Sequence, residues 1–285
     1  MNGLIQNEFL VEGLHVKAFA PTRPLFAPAI LFIHGSCHGA FCWEGWQRRF
    51  AQWGWRSHAL SLRNHPGSYA LSDDVYCRLT VFDYVEDCRT VLRAIGGPPP
   101  VVVGHSLGGV VAQKLAEILC AAGEAPPALV GLASSSPKGV GAVRDHALPE
   151  DKPIAWTRET ARRLLFSSIP DDVYDAFYPQ LVPESPSVQN WTGGGRTPVD
   201  PAVMTAPSLF VGAQMDASGV HKAERLAAFY GGHHAEIPGA GHNLMMEPME
   251  AGVAAMIQAW LAATVGVEGV PAPQQAARPE PPPSS

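Results

Sequence analysis

The chain has 285 residues and a mass of 30.4 kDa, enough to bury a sizeable core in one large domain or two small ones. Hydrophobic residues make up 46% of it and charged residues only 16%, which excludes intrinsic disorder for most of its length. The 20 basic residues are outnumbered by 26 acidic ones, and the net charge of −6 argues against nucleic-acid binding as a primary role.

Short apolar runs alternate along the chain with longer helical patterns, after an opening antiparallel hairpin that turns at Glu12 and Gly13. The runs predicted as strands are residues 29–33, 57–62, 100–103, 128–132, 208–211 and 234–237. The stretches predicted as helices are residues 43–52, 81–94, 107–122, 220–230 and 248–263. This alternation is typical of an α/β fold, a mainly parallel sheet flanked by helices, and it leaves the hairpin at one edge.

The alternation stops between residues 137 and 206, a region rich in proline, charged and aromatic residues. Because this region is too long for an ordinary loop, we predict an inserted lid or cap, either a subdomain or a mobile cover. The core then comprises residues 1–136 and 207–265. Residues 266–285 contain many prolines and little to bury, so we predict a disordered tail there.

The cysteines and the termini give expectations about location. Five cysteines without C-x-x-C spacing predict free thiols in a reducing compartment rather than a disulfide framework. The first 20 residues lack the pattern of a signal peptide, so we expect a cytoplasmic protein. The apolar stretch 251–267 falls short of a membrane span and is flanked by Glu250 and Glu268; we predict a buried helix.

The strongest chemical signal is the sequence VVVGHSLGG at residues 101–109, in which a β-branched strand enters a G-x-S-x-G motif followed by a helix. Gly104 and Gly108 permit a turn too tight for a Cβ atom, which predicts Ser106 at a strained apex with its hydroxyl exposed. The positive end of the following helix favours a developing oxyanion. Ser106 is therefore the candidate nucleophile, the alternative being a serine in an ordinary strand–helix turn.

Two residues downstream are suited to activate this serine, which needs a base that is itself oriented by an acid. Asp216 follows the strand at 208–211, and His242 lies on a glycine-rich loop after the strand at 234–237. We predict that His242 is the base and Asp216 the acid. The alternatives are a capping or surface aspartate and a partly buried loop histidine.

The strand at 29–33 ends in His34 and Gly35, and the next backbone amide is that of Ser36. With the amide of Leu107 it would form a two-donor oxyanion hole above the nucleophile. His34 and His38 have the i, i+4 spacing of some zinc ligands, but they lie on a strand and a glycine loop rather than on a helix. We therefore predict no metal site and no cofactor.

Together with the sequence RNHPGS at residues 63–68, these motifs resemble the α/β-hydrolase superfamily over residues 5 to about 265. The stretch HGSCHGAFCW at 34–43 looks most like the branch of plant-type methyl esterases, hydroxynitrile lyases and bacterial esterases. The resemblance implies an α/β-hydrolase fold, and it assigns the oxyanion amides to Ser36 and Leu107.

Departures from the family narrow the chemistry. Hydroxynitrile lyases of this branch are similar in having a threonine after the first histidine and a lysine after the catalytic one, where this chain has Gly35 and Asn243. Lyase activity is therefore disfavoured. Ser106 likewise argues against epoxide hydrolases and haloalkane dehalogenases, which have an aspartate on the elbow.

The sequence thus predicts a carboxylic ester hydrolase that acts on small to medium, largely apolar esters through an acyl-enzyme. Its expected partner is a small-molecule ester, without nucleic acid or a membrane span, and the oligomeric state, monomer or homodimer, stays open. Alternatives on the same triad are lactone, amide or carbon–carbon bond hydrolysis, perhydrolase activity, and ligand sensing with little turnover. Candidate pocket residues, some of which can equally form a small core of the lid, are His38, His105, Trp156, Phe166, Phe177, Tyr178 and Trp191.

Overall fold

A computed structural model describes residues 3–141, 146–193, 195–218 and 223–266. The first residues of the helix predicted at 220–230, and residues 267–285 of the predicted tail, lie outside the described residues.

The described strands form one eight-stranded sheet in the order β1-β2-β4-β3-β5-β6-β7-β8. β2 runs antiparallel to both of its neighbours, and the remaining pairs are parallel. The prediction of a mainly parallel sheet with an antiparallel hairpin at its edge is therefore confirmed. The strands are β1 Leu4–Val11, β2 Leu14–Pro21, β3 Ile30–Ile33, β4 Ser57–Leu60, β5 Val101–His105, β6 Leu129–Leu132, β7 Ser208–Ala213 and β8 His233–Ile237.

Helices flank this sheet and follow the predicted positions within a few residues. Within the described ranges they are α1 Glu44–Gln52, α2 Asp73–Tyr76, α3 Val81–Ile95, α4 Leu107–Ala121, α5 Arg158–Leu164, α6 Asp171–Phe177, α7 Pro186–Gly193, α8 Ala223–Tyr230 and α9 Glu250–Val265. α3 begins with a capping box between Thr80 and Asp83, the local signal that fixes its first turn. The one-turn helix α2 and the helices between residues 137 and 206 were not predicted individually, because their apolar periodicity is short.

The hydrophobic core has two parts, one on each face of the sheet. On one face, side chains of α3 and α4 such as Tyr84 and Val111 are fully buried. On the other face Trp43 lies against Phe32, with ring centroids 4.8 Å apart, in a cluster completed by α1 and α9. The central strands β3, β5 and β6 are buried along their whole length, as expected for parallel strands covered on both sides. None of the described helices is both long and apolar enough to cross a membrane.

The inserted segment, residues 137–206, connects β6 to β7 and contains α5, α6 and α7. Its described residues form no sheet strand; only an isolated bridge joins Ile154 to Glu184. Leu165, Phe166 and Tyr174 are buried in a small core of its own. The segment supplies one wall of the cavity described below, while its movement as a lid stays a prediction.

Candidate active site

Ser106 lies between the last residue of β5 and the first residue of α4, with backbone angles φ 51° and ψ −120°. A Cβ atom at Gly104 would lie 2.3 Å from the carbonyl oxygen of Gly108, and one at Gly108 would lie 2.3 Å from that of His34. Only glycine fits such close backbone approaches, which is why the turn has the G-x-S-x-G pattern. The left-handed conformation of Ser106 is held by hydrogen bonds from its amide to Leu132 and from Ser135 to its carbonyl, both 2.9 Å.

Three side chains distant in sequence form one hydrogen-bonded line at the carboxyl ends of the strands. His242 Nε2 lies 2.9 Å from Ser106 Oγ, and His242 Nδ1 lies 2.8 Å from Asp216 Oδ2. Asp216 follows β7 and His242 follows β8, so the parallel strands deliver all three groups to the same edge of the sheet. Since a carboxylate only accepts hydrogen bonds, Nδ1 carries the hydrogen and Nε2 is free to accept the serine proton.

Asp216 is held as a carboxylate. Burial would raise its pKa, but the adjacent His242 and hydrogen bonds from His242 and Ser218 lower the pKa to about 2. The amide of Ser218 donates to Asp216 Oδ1 at 2.8 Å, and the Ser218 hydroxyl lies 3.1 Å from His242 Nδ1. Asp216 is therefore ionised at neutral pH and orients the imidazole.

The two residues whose amides are predicted to form the oxyanion hole both lie close to the nucleophile, Ser36 in the same cavity and Leu107 next in the chain. Leu107 is the first residue of α4, and Ser36 follows β3 in the loop whose Gly35 approaches the side chains of His105 and Ser106. Neither the amide of Ser36 nor that of Leu107 donates a hydrogen bond to any acceptor among the described residues. Two backbone donors beside the candidate nucleophile are thus free to bind an anionic oxygen.

A cavity of about 190 Å³ opens over this line. A larger cavity, of about 670 Å³, lies beside the opposite ends of β3 and β5 and is lined by none of the candidate catalytic residues. We assign the candidate active site to the smaller of these two cavities, because Ser106 and His242 line it. Its lining comprises Ser36, His38, His105, Ser106, Ser135, Trp156, Leu164, Leu165, Gln189, Thr192, Gly193, Ser218 and His242.

Three of the predicted pocket residues, His38, His105 and Trp156, lie in this lining. His38 donates from Nδ1 to the carbonyl of Ser36 at 2.7 Å and faces Asn243 with Nε2. Burial lowers the pKa of His38 to about 4, so its ring is neutral. His105 donates from Nε2 to the carbonyl of His242 at 3.0 Å, and burial holds its pKa well below the usual range.

The other four predicted pocket residues are not part of this lining, and each packs against a neighbouring ring or carbonyl. Phe166 is buried between His38 and Tyr174, with ring centroids 5.9 and 5.0 Å away. Among the other three, Phe177 stacks on the ring of Phe41, Tyr178 donates to the carbonyl of Trp156, and Trp191 lies edge-on to Phe82. Phe166 thus supports the pocket from behind, as part of the core of the inserted segment.

His34, considered above as a metal ligand, has both ring nitrogens engaged. Nδ1 donates to the carbonyl of Gly35 at 2.8 Å, and Nε2 accepts from the amide of Leu62 at 3.1 Å. Across the part of the chain that the structure describes, no group of three or more histidine, cysteine or acidic side chains is arranged to hold a metal ion.

Sequence reasoning missed three polar residues around the site. They are Ser218, Gln189 and Glu184. The short distance in sequence between Ser218 and Asp216 was a signal that could have identified Ser218, whereas Gln189 and Glu184 lie far from every motif. Glu184 stands between Pro183 and Ser185 in the inserted segment, where a charged residue is usually solvated. It is instead completely buried.

The chain is similar to known proteins in both sequence and structure. The sequence model of the alpha/beta hydrolase family matches residues 30–256. Methylesterase 9 of Arabidopsis thaliana is 32% identical over 89 residues, which cover 31% of this chain and only 34% of that protein. The chain therefore matches about a third of the length of this curated relative.

Two solved structures illustrate the structural similarity. The methylesterase protein MES16 from Arabidopsis is 18% identical with a TM-score of 0.63, over 82% of this chain and 98% of its own. The N-acyl homoserine lactonase AidH is 14% identical with a TM-score of 0.68, over 93% of this chain and 98% of its own. At such identities the similarity shows the fold alone.

Proposed function

Because the chain belongs to the alpha/beta hydrolase family, we propose that it is a serine hydrolase that cleaves carboxylic esters of small, largely apolar substrates. The observation that carries the proposal is the line from Ser106 through His242 to Asp216, with separations of 2.9 and 2.8 Å. The free amides of Ser36 and Leu107 beside it supply what acyl transfer further needs, a site for the developing negative charge. The similarity to methylesterases supports the ester as the substrate class.

In the acylation step the ester carbonyl lies over Ser106, and His242 Nε2 takes the hydroxyl proton as the oxygen attacks. The carbonyl oxygen becomes an oxyanion and accepts hydrogen bonds from the amides of Ser36 and Leu107. Asp216, ionised, stabilises the imidazolium that forms. His242 then returns the proton to the departing alkoxide, and the alcohol leaves an acyl group on Ser106.

In the deacylation step a water molecule takes the place of the alcohol. His242 removes its proton as it attacks the acyl carbonyl, the same two amides bind the second oxyanion, and His242 protonates Ser106 as the acid is released. Each proton is moved by this one histidine, so the chain's own residues suffice and the proposal requires no cofactor. The five free cysteines support a reducing compartment, and we place the protein in the cytoplasm as part of the proposal.

The size of the cavity predicts a preference for short acyl chains. Its volume of about 190 Å³ is below the roughly 300–1,000 Å³ of pockets that enclose drug-sized ligands. We expect kcat/KM for p-nitrophenyl esters to be highest for acetate or butyrate and to fall at least about tenfold by decanoate, since about 1.4 kcal/mol of lost transition-state binding suffices. Steady-state kinetics across the series measure this, and equal rates for acetate and decanoate would contradict the assigned cavity.

The nucleophile is tested with a fluorophosphonate probe, which labels activated serines. We expect labelling at Ser106, identified by peptide mass spectrometry, and protection from labelling by short esters but not by long ones. Absence of labelling in a folded protein would end the serine hydrolase proposal. A higher kcat/KM for a lactone than for its linear ester would instead assign the lactonase alternative.

The proposed oxyanion hole makes a prediction about Ser36, because its main-chain amide, and not its side-chain hydroxyl, is proposed to donate to the oxyanion. Ser36→Ala keeps the amide and removes only the hydroxyl, which accepts a hydrogen bond from Gln189. We expect kcat to stay within about threefold of wild type, because the amide donor is retained. Loss of a true oxyanion donor would instead cost about 10²–10³ in kcat. A loss of that larger size, in a variant with an unchanged melting temperature, would show that the hydroxyl itself is the donor.

A further inference from the structure

A short stretch of the inserted segment, residues 182–189, holds the loop that carries the oxyanion amide; we call it the strap. The amide of Val182 donates to the carbonyl of Cys37 at 3.0 Å, and the carboxylate of Glu184 accepts from the amide of Cys37 at 3.2 Å. Gln189 donates from its side chain to the Ser36 hydroxyl. The strap therefore contacts the residue that supplies the proposed oxyanion amide and the residue after it.

Cys37 has a backbone conformation that needs such support. Its φ is 66°, in the left-handed region that residues with a side chain rarely adopt. Both polar groups of its main chain are engaged by the strap, so the strap fixes the direction in which the chain leaves Ser36. A small rotation of this chain would move the Ser36 amide away from the bound oxyanion, and oxyanion stabilisation depends on that alignment.

Glu184 is the centre of the strap. Its side chain is fully buried, and its two carboxylate oxygens accept hydrogen bonds at 2.7 to 3.3 Å. The donors are the amides of Cys37 and Ser185, the hydroxyls of Tyr76 and Tyr84, and Nε2 of His65. The carboxylate thus connects the inserted segment to four parts of the core. These are the loop after β3 that contains Ser36 and Cys37, which we call the oxyanion loop, the loop after β4, and the helices α2 and α3.

His65 and Glu184 form a buried ion pair. Nδ1 of His65 faces the carbonyl of Arg63 at 2.9 Å and Nε2 faces the carboxylate at 3.3 Å. Both partners are acceptors, so both ring nitrogens carry hydrogens. Burial disfavours both charges, yet each group supports the other: the pKa of His65 is raised and that of Glu184 is lowered.

Stability alone does not explain such a pair, because apolar residues of similar volume often replace buried ion pairs without loss. What an apolar side chain lacks is an acceptor for the Cys37 amide. We propose that Glu184 is a positioning residue, which holds Cys37 in its left-handed conformation and thereby aims the Ser36 amide at the reaction's oxyanion. This inference rests on the proposed function, since it assigns Glu184 a part in the same reaction.

The test compares Glu184→Gln with Tyr84→Phe. In Glu184→Gln, an amide NH₂ group replaces one carboxylate oxygen in a site surrounded by hydrogen-bond donors, and the bond from the Cys37 amide is weakened. Tyr84→Phe removes one hydroxyl that donates to the same carboxylate and leaves the bond from the Cys37 amide in place. For p-nitrophenyl acetate we expect Glu184→Gln to lower kcat about 10- to 100-fold with KM within about threefold, and Tyr84→Phe to keep kcat within about threefold. Melting temperatures should fall in both variants.

A second readout reports on the oxyanion directly. An alkyl trifluoromethyl ketone adds reversibly to an active-site serine, and its hemiketal oxygen takes the position of the oxyanion. We expect its Ki to rise in Glu184→Gln by the same factor as kcat/KM falls, and to stay near the wild-type value in Tyr84→Phe. A folded Glu184→Gln protein with wild-type kcat and Ki would overturn the proposal and leave Glu184 a purely structural group.

Val182→Pro tests the strap without touching the buried charges, should Glu184→Gln not fold. Proline removes the amide that donates to the Cys37 carbonyl, and Leu181 before it already has the extended conformation (ψ 140°) that a following proline requires. We expect a loss in kcat of about three- to tenfold, and an unchanged kcat would contradict the inference. If wild type itself neither hydrolyses esters nor labels with fluorophosphonate, the proposed function fails instead, so the two failures are distinguishable.

Discussion

Replacing Ser106 with alanine is expected to reduce kcat/KM for p-nitrophenyl acetate by about 10⁵-fold or more. The hydroxyl 2.9 Å from His242 Nε2 is the atom proposed to form the acyl-enzyme, and alanine offers no replacement. The free amides of Ser36 and Leu107 remain, so any residual rate reflects binding and oxyanion stabilisation alone. Steady-state kinetics together with fluorophosphonate labelling measure the effect.

Ser135 provides the matched control, because it lies in the same cavity but the structure shows no hydrogen bond between its side chain and a described imidazole. Ser135→Ala should keep fluorophosphonate labelling and most of the turnover. Both variants should retain the circular dichroism spectrum of wild type. Substantial ester hydrolysis by Ser106→Ala would mean that another group is the nucleophile, and the proposed mechanism would have to be abandoned.

The arrangement of the three candidate catalytic groups could be anticipated because of a property of parallel sheets. Ser106, Asp216 and His242 each follow a predicted strand, and the carboxyl ends of parallel strands meet at one edge. The tight turn at Ser106 was also readable, since Gly104 and Gly108 are where a side chain would collide with the main chain. Short-range sequence signals of this kind need only the local backbone and the topology.

The pocket lining was harder to predict because it depends on how side chains of the inserted segment pack. Phe166 and Trp191 both looked suited to line an apolar pocket, yet Phe166 is buried behind His38 and Trp191 lies against Phe82. The buried position of Glu184 could not be predicted from the sequence for a related reason. Its partners Cys37 and His65 are more than 100 residues away in sequence, and no periodicity relates a charge in a proline-rich stretch to a buried histidine.

The buried contacts of Glu184 also alter how the inserted segment is understood. The sequence predicted a cover whose aromatic residues line the pocket or form a small core of their own. The structure adds that the strap is joined to the oxyanion loop by hydrogen bonds to the main chain of Cys37. Any lid movement would therefore involve residues other than Val182 and Glu184, since displacing these two leaves buried polar groups of the core unpaired. α5, which contributes Leu164 to the cavity, has no such bond to Cys37.

The second large effect is expected for Asp216→Asn, which should lower kcat at neutral pH by about 10⁴-fold. The carboxylate accepts from His242 Nδ1 at 2.8 Å and so keeps Nε2 free to take the Ser106 proton. An asparagine can present its amide hydrogens to Nδ1 and stabilise the tautomer with the proton on Nε2, which cannot act as the base. Ser218→Ala is the matched control: the hydroxyl also lies near Nδ1, at 3.1 Å, but carries no charge, so its loss should cost less than about tenfold.

The same substitution makes a prediction about stability that does not depend on the substrate. The pKa of Asp216 is about 2 in the folded protein and about 3.9 when unfolded, so its ionised form contributes about 2–3 kcal/mol to the free energy of unfolding above pH 4. This contribution is lost as the pH falls from about 4 to about 2. The difference in unfolding free energy between wild type and Asp216→Asn should therefore shrink across that window, as measured by urea denaturation. A difference that stays constant from pH 6 to pH 2 would mean that folding does not favour the carboxylate over its protonated form, and Asp216 would lose its proposed role of stabilising the imidazolium.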